Sequence, residues 1–129
     1  MNELTTEWVA KADADYATAG RELRVDDWSN YDAVCFHAQQ TAEKYLKAFL
    51  QENGVPFPKT HSLIELLELS LPLNSELESL RPSLIRLGRG AVRFRYPGET
   101  ADKNEAKAAY KAATTVRAVF HTQLTPGKD

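Results

Sequence analysis

The sequence predicts an all-α protein, an antiparallel up-and-down bundle of four long helices with one short helix inserted. Apolar residues recur every three or four positions through most of the chain, which is the period of one helical face. No stretch shows the alternation of a half-buried strand, and the connectors are short. The 129 residues suffice for one hydrophobic core. We therefore expect a single domain over residues 1–124 and a disordered tail over residues 125–129.

The first two helices are predicted from their apolar stripes and from the polar segment between them. The stripe of the first helix consists of Trp8, Ala12, Tyr16, Ala19 and Leu23. The segment RVDDWSN interrupts this pattern, and either Asp27 or Ser29 is expected to cap the second helix. That helix is predicted to run to the Asn53-Gly54 pair, which favours a left-handed C-terminal turn.

A short third helix is predicted after the connector VPFPKTH, which two prolines make stiff. The buried side of this helix carries Leu63, Leu66 and Leu67. Ser62 and Glu65 have the spacing of a capping box, and His61 directly before them is expected to cap the helix.

The fourth helix is expected to reach Phe94, but it contains a proline. Its apolar positions are Leu77, Leu80, Leu84, Leu87 and Ala91. Pro82 lies inside this pattern and must either kink the helix or begin its second half. A final long helix follows the turn-rich segment RYPGETAD. Its apolar positions are Ala106, Ala109, Tyr110, Ala113, Val116, Phe120 and Leu124.

Composition and charge exclude several classes of protein. The formal net charge of -2 gives no overall attraction to nucleic acid or to an anionic membrane, so any such attraction must be local. The lone Cys35 allows no internal disulfide, and no window approaches the ~18 apolar residues of a membrane span. The three histidines form no recognisable metal set. We expect a cytoplasmic protein without a membrane association, a metal or another cofactor.

The second helix contains polar residues that its core stripe does not require. The helix contains the segment FHAQQTAEKYLKAFL, residues 36–50. On a helical wheel, its core stripe consists of Cys35, Ala38, Ala42, Leu46 and Phe49. His37, Gln40, Lys44 and Lys47 fall on the far side, and Gln39 lies at the margin. This polar face is either solvated or, because aromatic residues flank it, part of an interface with another subunit.

Residues 81–98 contain five of the eight arginines and no acidic residue. On a helix, Arg86, Arg89 and Arg93 form one continuous stripe. Arginine binds phosphate or carboxylate oxygens in pairs, so a nucleotide or an RNA backbone is the natural ligand. The alternative is that acidic residues of the first or last helix neutralise the stripe. The candidates are Asp13, Asp15 and Glu105.

The last helix offers a second candidate site. Arg117 and His121 lie one turn apart, and Arg117 falls at the edge of the apolar stripe. A general acid or base beside a cation is the arrangement of metal-free ribonuclease chemistry. A purely structural role for this pair is the alternative.

Three segments in order, FHAQQTAEKYLKAFL, PKTHSLIELL and RFRYP, resemble the HEPN family of higher-eukaryote and prokaryote nucleotide-binding domains. The segment AKADADYATAG is similar to the opening helix of that family. The resemblance implies a bundle of about five helices, frequent homodimers and one of two roles. These are metal-independent RNA cleavage, or partnership with a minimal nucleotidyltransferase in a two-gene module of the toxin-antitoxin kind.

The nucleotidyltransferase-associated type matches best. Its motif positions here are Gln39, Gln40, Glu43, Lys44, Lys47, His61, Arg95, Tyr96 and Pro97. Ribonuclease members separate their arginine and histidine by four to six residues, whereas three residues separate Arg117 from His121. A tyrosine of the toxin subgroup is also replaced, because Gln123 stands two positions after His121.

We therefore expect a nucleotide or nucleic-acid phosphate-binding domain that forms a homodimer and partners a nucleotidyltransferase. The expected ligand-binding residues are Arg89, Arg93, Arg95, Tyr96, Lys44, Lys47 and His61. The expected groove or dimer face comprises His37, Gln39 and Gln40. The alternatives are a metal-independent ribonuclease toxin that uses Arg117 and His121, and a structural homodimer without a small ligand.

Overall fold

The computed structural model describes residues 1–124 and contains helices joined by turns, with no strand in that range. The α-helices are α1 (Glu3–Leu23), α2 (Tyr31–Glu52), α3 (Leu63–Ser70), α4 (Arg81–Arg93) and α5 (Lys103–Leu124). A 3₁₀ helix, Ser75–Leu80, directly precedes α4. The predicted all-α bundle is thus confirmed, and the predicted disordered tail lies outside the described residues. No helix within residues 1–124 has both the length and the hydropathy required to cross a membrane.

Helix α2 lies at the centre of the bundle and contacts each of the other four α-helices. The predicted core stripe is confirmed, because Cys35, Ala38, Ala42, Leu46 and Phe49 are all buried. Burial extends beyond that stripe to Gln39, Glu43 and Lys47, however. The expectation of a separate polar face on α2 is therefore wrong for Lys47, because neighbouring elements cover a central helix on more than one side.

The N-cap predicted for α2 is wrong, whereas the turn predicted at its C-terminal end is confirmed. Asn30 caps the helix, with its Oδ1 accepting a hydrogen bond from the Ala33 N–H at 3.0 Å. The predicted caps Asp27 and Ser29 are therefore wrong, and the Ser29 hydroxyl instead donates to the Val25 carbonyl at 2.6 Å. At the other end the left-handed turn is confirmed, because Gly54 has a φ of 68°.

Pro82 lies in the first turn of α4 and does not kink the helix. The helix starts at Arg81, so Pro82 occupies the first turn, where its missing N–H costs no intrahelical hydrogen bond. The helix ends at Arg93 with Phe94 as its C-cap, close to the predicted end. Only Leu84 and Leu87 of α4 are buried, so most of its surface faces away from the core. That exposed surface carries the arginines.

Candidate functional site

A cleft of about 320 Å³ lies between α4 and α5, and the sequence places arginines along it. Arg86, Arg89 and Arg93 of α4 line one side, and Glu105 of α5 lines the other. Cys35 of α2 also borders the space. We call this space the arginine cleft. Its volume is within the range of about 300–1,000 Å³ that small-ligand sites occupy.

The arginines of α4 differ in their partners. The Arg93 guanidinium donates to Glu99 Oε2 at 3.1 Å and to Glu105 Oε2 at 3.0 Å. Arg86 and Arg89 are exposed, and neither side chain makes a hydrogen bond or an ion pair within residues 1–124. Glu105 therefore neutralises only one member of the predicted stripe. Two guanidinium groups one turn apart have no carboxylate partner in the described part of the chain.

The chemistry of the nearby Cys35 does not oppose an anion in the cleft. Burial, followed by the negative charge of Asp32, raises the pKa of the Cys35 thiol to about 11. The thiol is therefore neutral near pH 7 and adds no negative charge beside Arg86 and Arg89. A phosphate entering the cleft meets Glu105 as its one lining carboxylate within the described part of the chain.

Arg95 and Tyr96 follow α4 and are both exposed. Arg95 lines a second hollow of about 310 Å³, which adjoins the arginine cleft through Gly90 and Phe94. Phe36 of α2 also lines this hollow. Arg95 makes no side-chain ion pair or hydrogen bond among residues 1–124, so it extends the unpaired positive charge beyond the cleft.

Lys44 and Lys47 do not join the arginines. Lys44 Nζ lies 2.5 Å from Asp15 Oδ2 of α1, and Lys47 Nζ lies 3.0 Å from Glu43 Oε2. Lys47 Nζ also lies 5.5 Å from the centre of the Trp8 ring of α1. Each lysine thus has a carboxylate partner on the side of α2 that faces α1. Asp15 was predicted as a counter-charge for the arginines, but its carboxylate pairs with Lys44 instead.

The remaining polar residues of α2 are bonded within the chain. Gln39 is 4% exposed, and its Nε2 donates to Glu43 Oε1 at 3.2 Å and to the His61 carbonyl at 3.3 Å. Gln40 Nε2 donates to Gln39 Oε1 at 2.8 Å. A partner would have to displace these bonds, so the groove or dimer face stays a prediction.

His61 and His37 contact carboxylates. His61 Nδ1 lies 3.1 Å from Glu43 Oε1, and Ser62 provides the cap of α3, so the capping role expected for His61 is wrong. His37 Nδ1 lies 2.8 Å from Asp15 Oδ1. Neither ring lines the arginine cleft. No three His, Cys, Asp or Glu side chains within residues 1–124 are placed to hold a metal ion.

A second polar site joins α1, α2 and α5 around Asp13. Arg117 Nε donates to Asp13 Oδ1 at 3.1 Å, and the Tyr45 hydroxyl donates to the same oxygen. His121 Nε2 lies 4.0 Å from it. We call these four residues the Asp13 cluster. Burial and the bond to Asp13 raise the pKa of the fully buried Tyr45.

The Asp13 cluster borders a hollow of about 160 Å³, formed in part by Asp13, Tyr45 and His121. The structure therefore brings the predicted pair Arg117 and His121 to one carboxylate. Asp13 and Tyr45 are absent from the predicted site. Asp13 lies 104 residues from Arg117 in sequence, so no local spacing could reveal the contact.

A family model described as the HEPN domain matches residues 5–123. The chain belongs to the HEPN domain family. HEPN domains bind nucleic acids or act as ribonucleases, and they commonly dimerise. The resemblance found in the sequence is thereby confirmed at the level of the family.

Two solved structures share the HEPN fold of this chain. TT1696 from Thermus thermophilus has 26% sequence identity and a TM-score of 0.76, over 96% of this chain and 100% of its own. An archaeal HEPN homologue has 22% identity and a TM-score of 0.71, over 95% of this chain and 98% of its own. No curated protein matches the sequence.

Proposed function

We propose that this HEPN domain binds the phosphates of a nucleotide or nucleic acid in the arginine cleft. Arg86 and Arg89 are the principal contacts. The observation that carries the proposal is that both are exposed at a concave surface and lack an acidic partner among residues 1–124. Like charges one turn apart destabilise a helix by a few tenths of a kcal/mol, which a bound phosphate would reverse. Arg86 is absent from the ligand set expected from the sequence, although its spacing to Arg89 places it on the same stripe.

The other predicted ligand residues are expected to contribute to phosphate binding to different extents. Arg93 must give up hydrogen bonds to Glu99 or Glu105 before it can contact a phosphate, so its contribution is smaller. Arg95, which lines the second hollow, would contact a ligand that extends past the end of α4, and the exposed Tyr96 directly follows it. The proposed site leaves out Lys44, Lys47 and His61, since each has a carboxylate partner elsewhere.

Titration of a fluorescently labelled single-stranded RNA decamer, followed by anisotropy, tests this site. The double variant Arg86→Ala/Arg89→Ala should weaken binding by about 100-fold or more, because each charged hydrogen bond contributes about 1.5–3 kcal/mol. The matched control is Arg81→Ala on the same helix, whose guanidinium is held by Glu68 and Glu78. Unchanged binding by the double variant, with helicity preserved, would remove the site assignment.

We further propose that this domain forms a homodimer and binds a partner protein. The motif residues of α2, together with Arg95 and Tyr96, support a cytoplasmic homodimer that partners a minimal nucleotidyltransferase in a toxin-antitoxin-like module. Coexpression with the product of the neighbouring gene, followed by light scattering on the purified complex, tests this. A stable complex that contains two copies of this chain is expected. A monomer that does not bind the neighbouring product would contradict it.

A second candidate function is metal-independent RNA cleavage at the Asp13 cluster. It is favoured by the convergence of Arg117 and His121 on Asp13 beside a hollow. His121 would act as the general base or acid, and Arg117 would stabilise the negative charge of the transition state. RNA cleavage in EDTA that His121→Ala abolishes would support this function. Intact RNA in EDTA would count against it.

A further inference from the structure

The arginine cleft and the second hollow lie side by side, and they differ in chemistry. They share Gly90 and Phe94, so one ligand can occupy both. Arginines line the first, whereas the second is lined by Phe36, Phe94 and Arg95 together with Asp32 and the cap residue Asn30. We call this second space the aromatic hollow. A nucleotide has the same division, with a charged phosphate at one end and a flat base at the other.

The aromatic hollow is suited to the base and not to a further phosphate. Phe36 is 42% exposed within residues 1–124, although it is large and apolar. An aromatic face in this setting stacks on any nucleobase. The Asp32 carboxylate in the same hollow repels a phosphate. Arg95 adds a planar guanidinium, which also stacks on bases.

Two polar groups in the aromatic hollow remain available for the edge of a base. Asp32 Oδ1 accepts a hydrogen bond from the Ala101 N–H at 2.7 Å, and Asp32 Oδ2 has no partner among residues 1–124. Asn30 Oδ1 accepts from the Ala33 N–H, which identifies Nδ2 as the other amide atom, and that donor has no partner in the same range. The hollow thus offers Asp32 Oδ2 as an acceptor and Asn30 Nδ2 as a donor, beside the Arg95 guanidinium.

We propose that the aromatic hollow binds an unpaired nucleobase that carries an exocyclic amino group, on a strand whose phosphates lie in the arginine cleft. This inference rests on the proposed phosphate-binding function. The amino group of adenine or cytosine donates to Asp32 Oδ2, and the adjacent ring nitrogen accepts from Asn30 Nδ2. Uracil has a carbonyl at that position, so in the same orientation it would place an acceptor against the carboxylate. Only a base outside a duplex can enter such a hollow.

Four probes separate the base from the phosphate contribution. They are oligoadenylate, oligocytidylate and oligouridylate decamers, and inorganic polyphosphate. At one salt concentration, the adenylate and cytidylate decamers should bind about tenfold more tightly than the uridylate decamer. Asp32→Asn replaces the free acceptor by a donor, so it should abolish this preference. Polyphosphate should bind the Asp32→Asn variant at least as well as the parent.

Removal of the aromatic ring provides a second test. Phe36→Leu keeps an apolar side chain and should weaken oligoadenylate binding by about tenfold, with polyphosphate binding unchanged. The matched control is Phe57→Leu, which removes an aromatic ring that packs against Trp8 in another part of the molecule. Circular dichroism and size measurements show whether each variant keeps its helices and its assembly.

The outcomes distinguish this inference from the proposed function. If the three decamers bind equally and Phe36→Leu has no effect, while Arg86→Ala/Arg89→Ala still abolishes binding, the inference is wrong and the phosphate site stands. If neither polyphosphate nor any decamer binds the parent protein, both proposals are wrong.

Discussion

The arginine cleft and the Asp13 cluster place the same side chain in opposite settings. In the cleft, Arg86 and Arg89 are exposed and have no acidic partner among residues 1–124. In the cluster, Arg117 donates to Asp13, and its guanidinium lies 4.8 Å from the centre of the Tyr16 ring. Positive charge on this fold is therefore of two kinds. One kind holds helices together, and the other is available to a ligand.

Removal of Asp13 should have the largest effect on stability. Asp13→Ala deprives the buried Tyr45 hydroxyl of its acceptor and leaves Arg117 without a carboxylate. A buried donor left unsatisfied costs about 1–3 kcal/mol, and we expect a loss of about 2–3 kcal/mol in unfolding free energy.

Urea denaturation measures this loss, with Asp27→Ala as the control. Asp27 is exposed and has no hydrogen bond or ion pair within the described residues, so its removal should change stability by less than about 0.5 kcal/mol. Equal effects of the two substitutions would show that the Asp13 cluster does not stabilise the bundle.

The Asp13 cluster should also make the unfolding free energy depend on pH in alkaline solution. The pKa of Tyr45 is raised in the folded protein, so the unfolded chain loses this proton first as the pH rises above about 10. The stabilisation from Tyr45 is complete below that pH and is lost as the pH rises toward the folded pKa. The loss is at most about 1.4 kcal/mol per pH unit.

Tyr45→Phe isolates this contribution, because the other groups that titrate in alkali are common to both proteins. Between pH 9 and pH 11, the unfolding free energy of the parent should fall more steeply than that of the variant. Parallel curves would mean that Tyr45 titrates alike in the folded and unfolded states.

The salt dependence of RNA affinity should distinguish unpaired from paired arginines within the arginine cleft. Each phosphate contact to single-stranded nucleic acid lowers the slope of log affinity against log salt by about 0.7. Removal of Arg86 or Arg89 should therefore flatten the slope by about 0.7. Arg93→Ala should flatten it less, because Glu99 and Glu105 compete for that guanidinium. Anisotropy titrations between 50 and 300 mM salt give the slopes, and equal changes for Arg89→Ala and Arg93→Ala would contradict this ranking.

Much of the fold could be predicted from the sequence, because each helix carries its own period. The core stripe of α2, the turn at Gly54 and the Ser62 cap of α3 followed from residue type and spacing. The burial of Gln39 did not follow. Periodicity identifies one apolar face, whereas a central helix meets four others, and their positions are set by the tertiary structure.

The candidate site, too, could be predicted only in part from the sequence. The arginine stripe was visible as a charge pattern along one helix. Which arginine has a partner was not visible, because Glu99 lies in the turn after α4 and pairs with Arg93 but not with Arg89. The contact of Asp13 with Arg117 joins the first and last helices, so it depends on the whole bundle.

We propose that the unpaired arginines of this fold bind ligand and that the paired ones stabilise it. The most direct test measures RNA affinity and unfolding free energy on the same two variants, Arg89→Ala and Arg117→Ala. Arg89→Ala should lower affinity about tenfold or more and change stability by less than about 0.5 kcal/mol. Arg117→Ala should lower stability by about 1–2 kcal/mol and leave affinity within about twofold. The opposite pattern, with RNA binding lost in Arg117→Ala and kept in Arg89→Ala, would contradict the account.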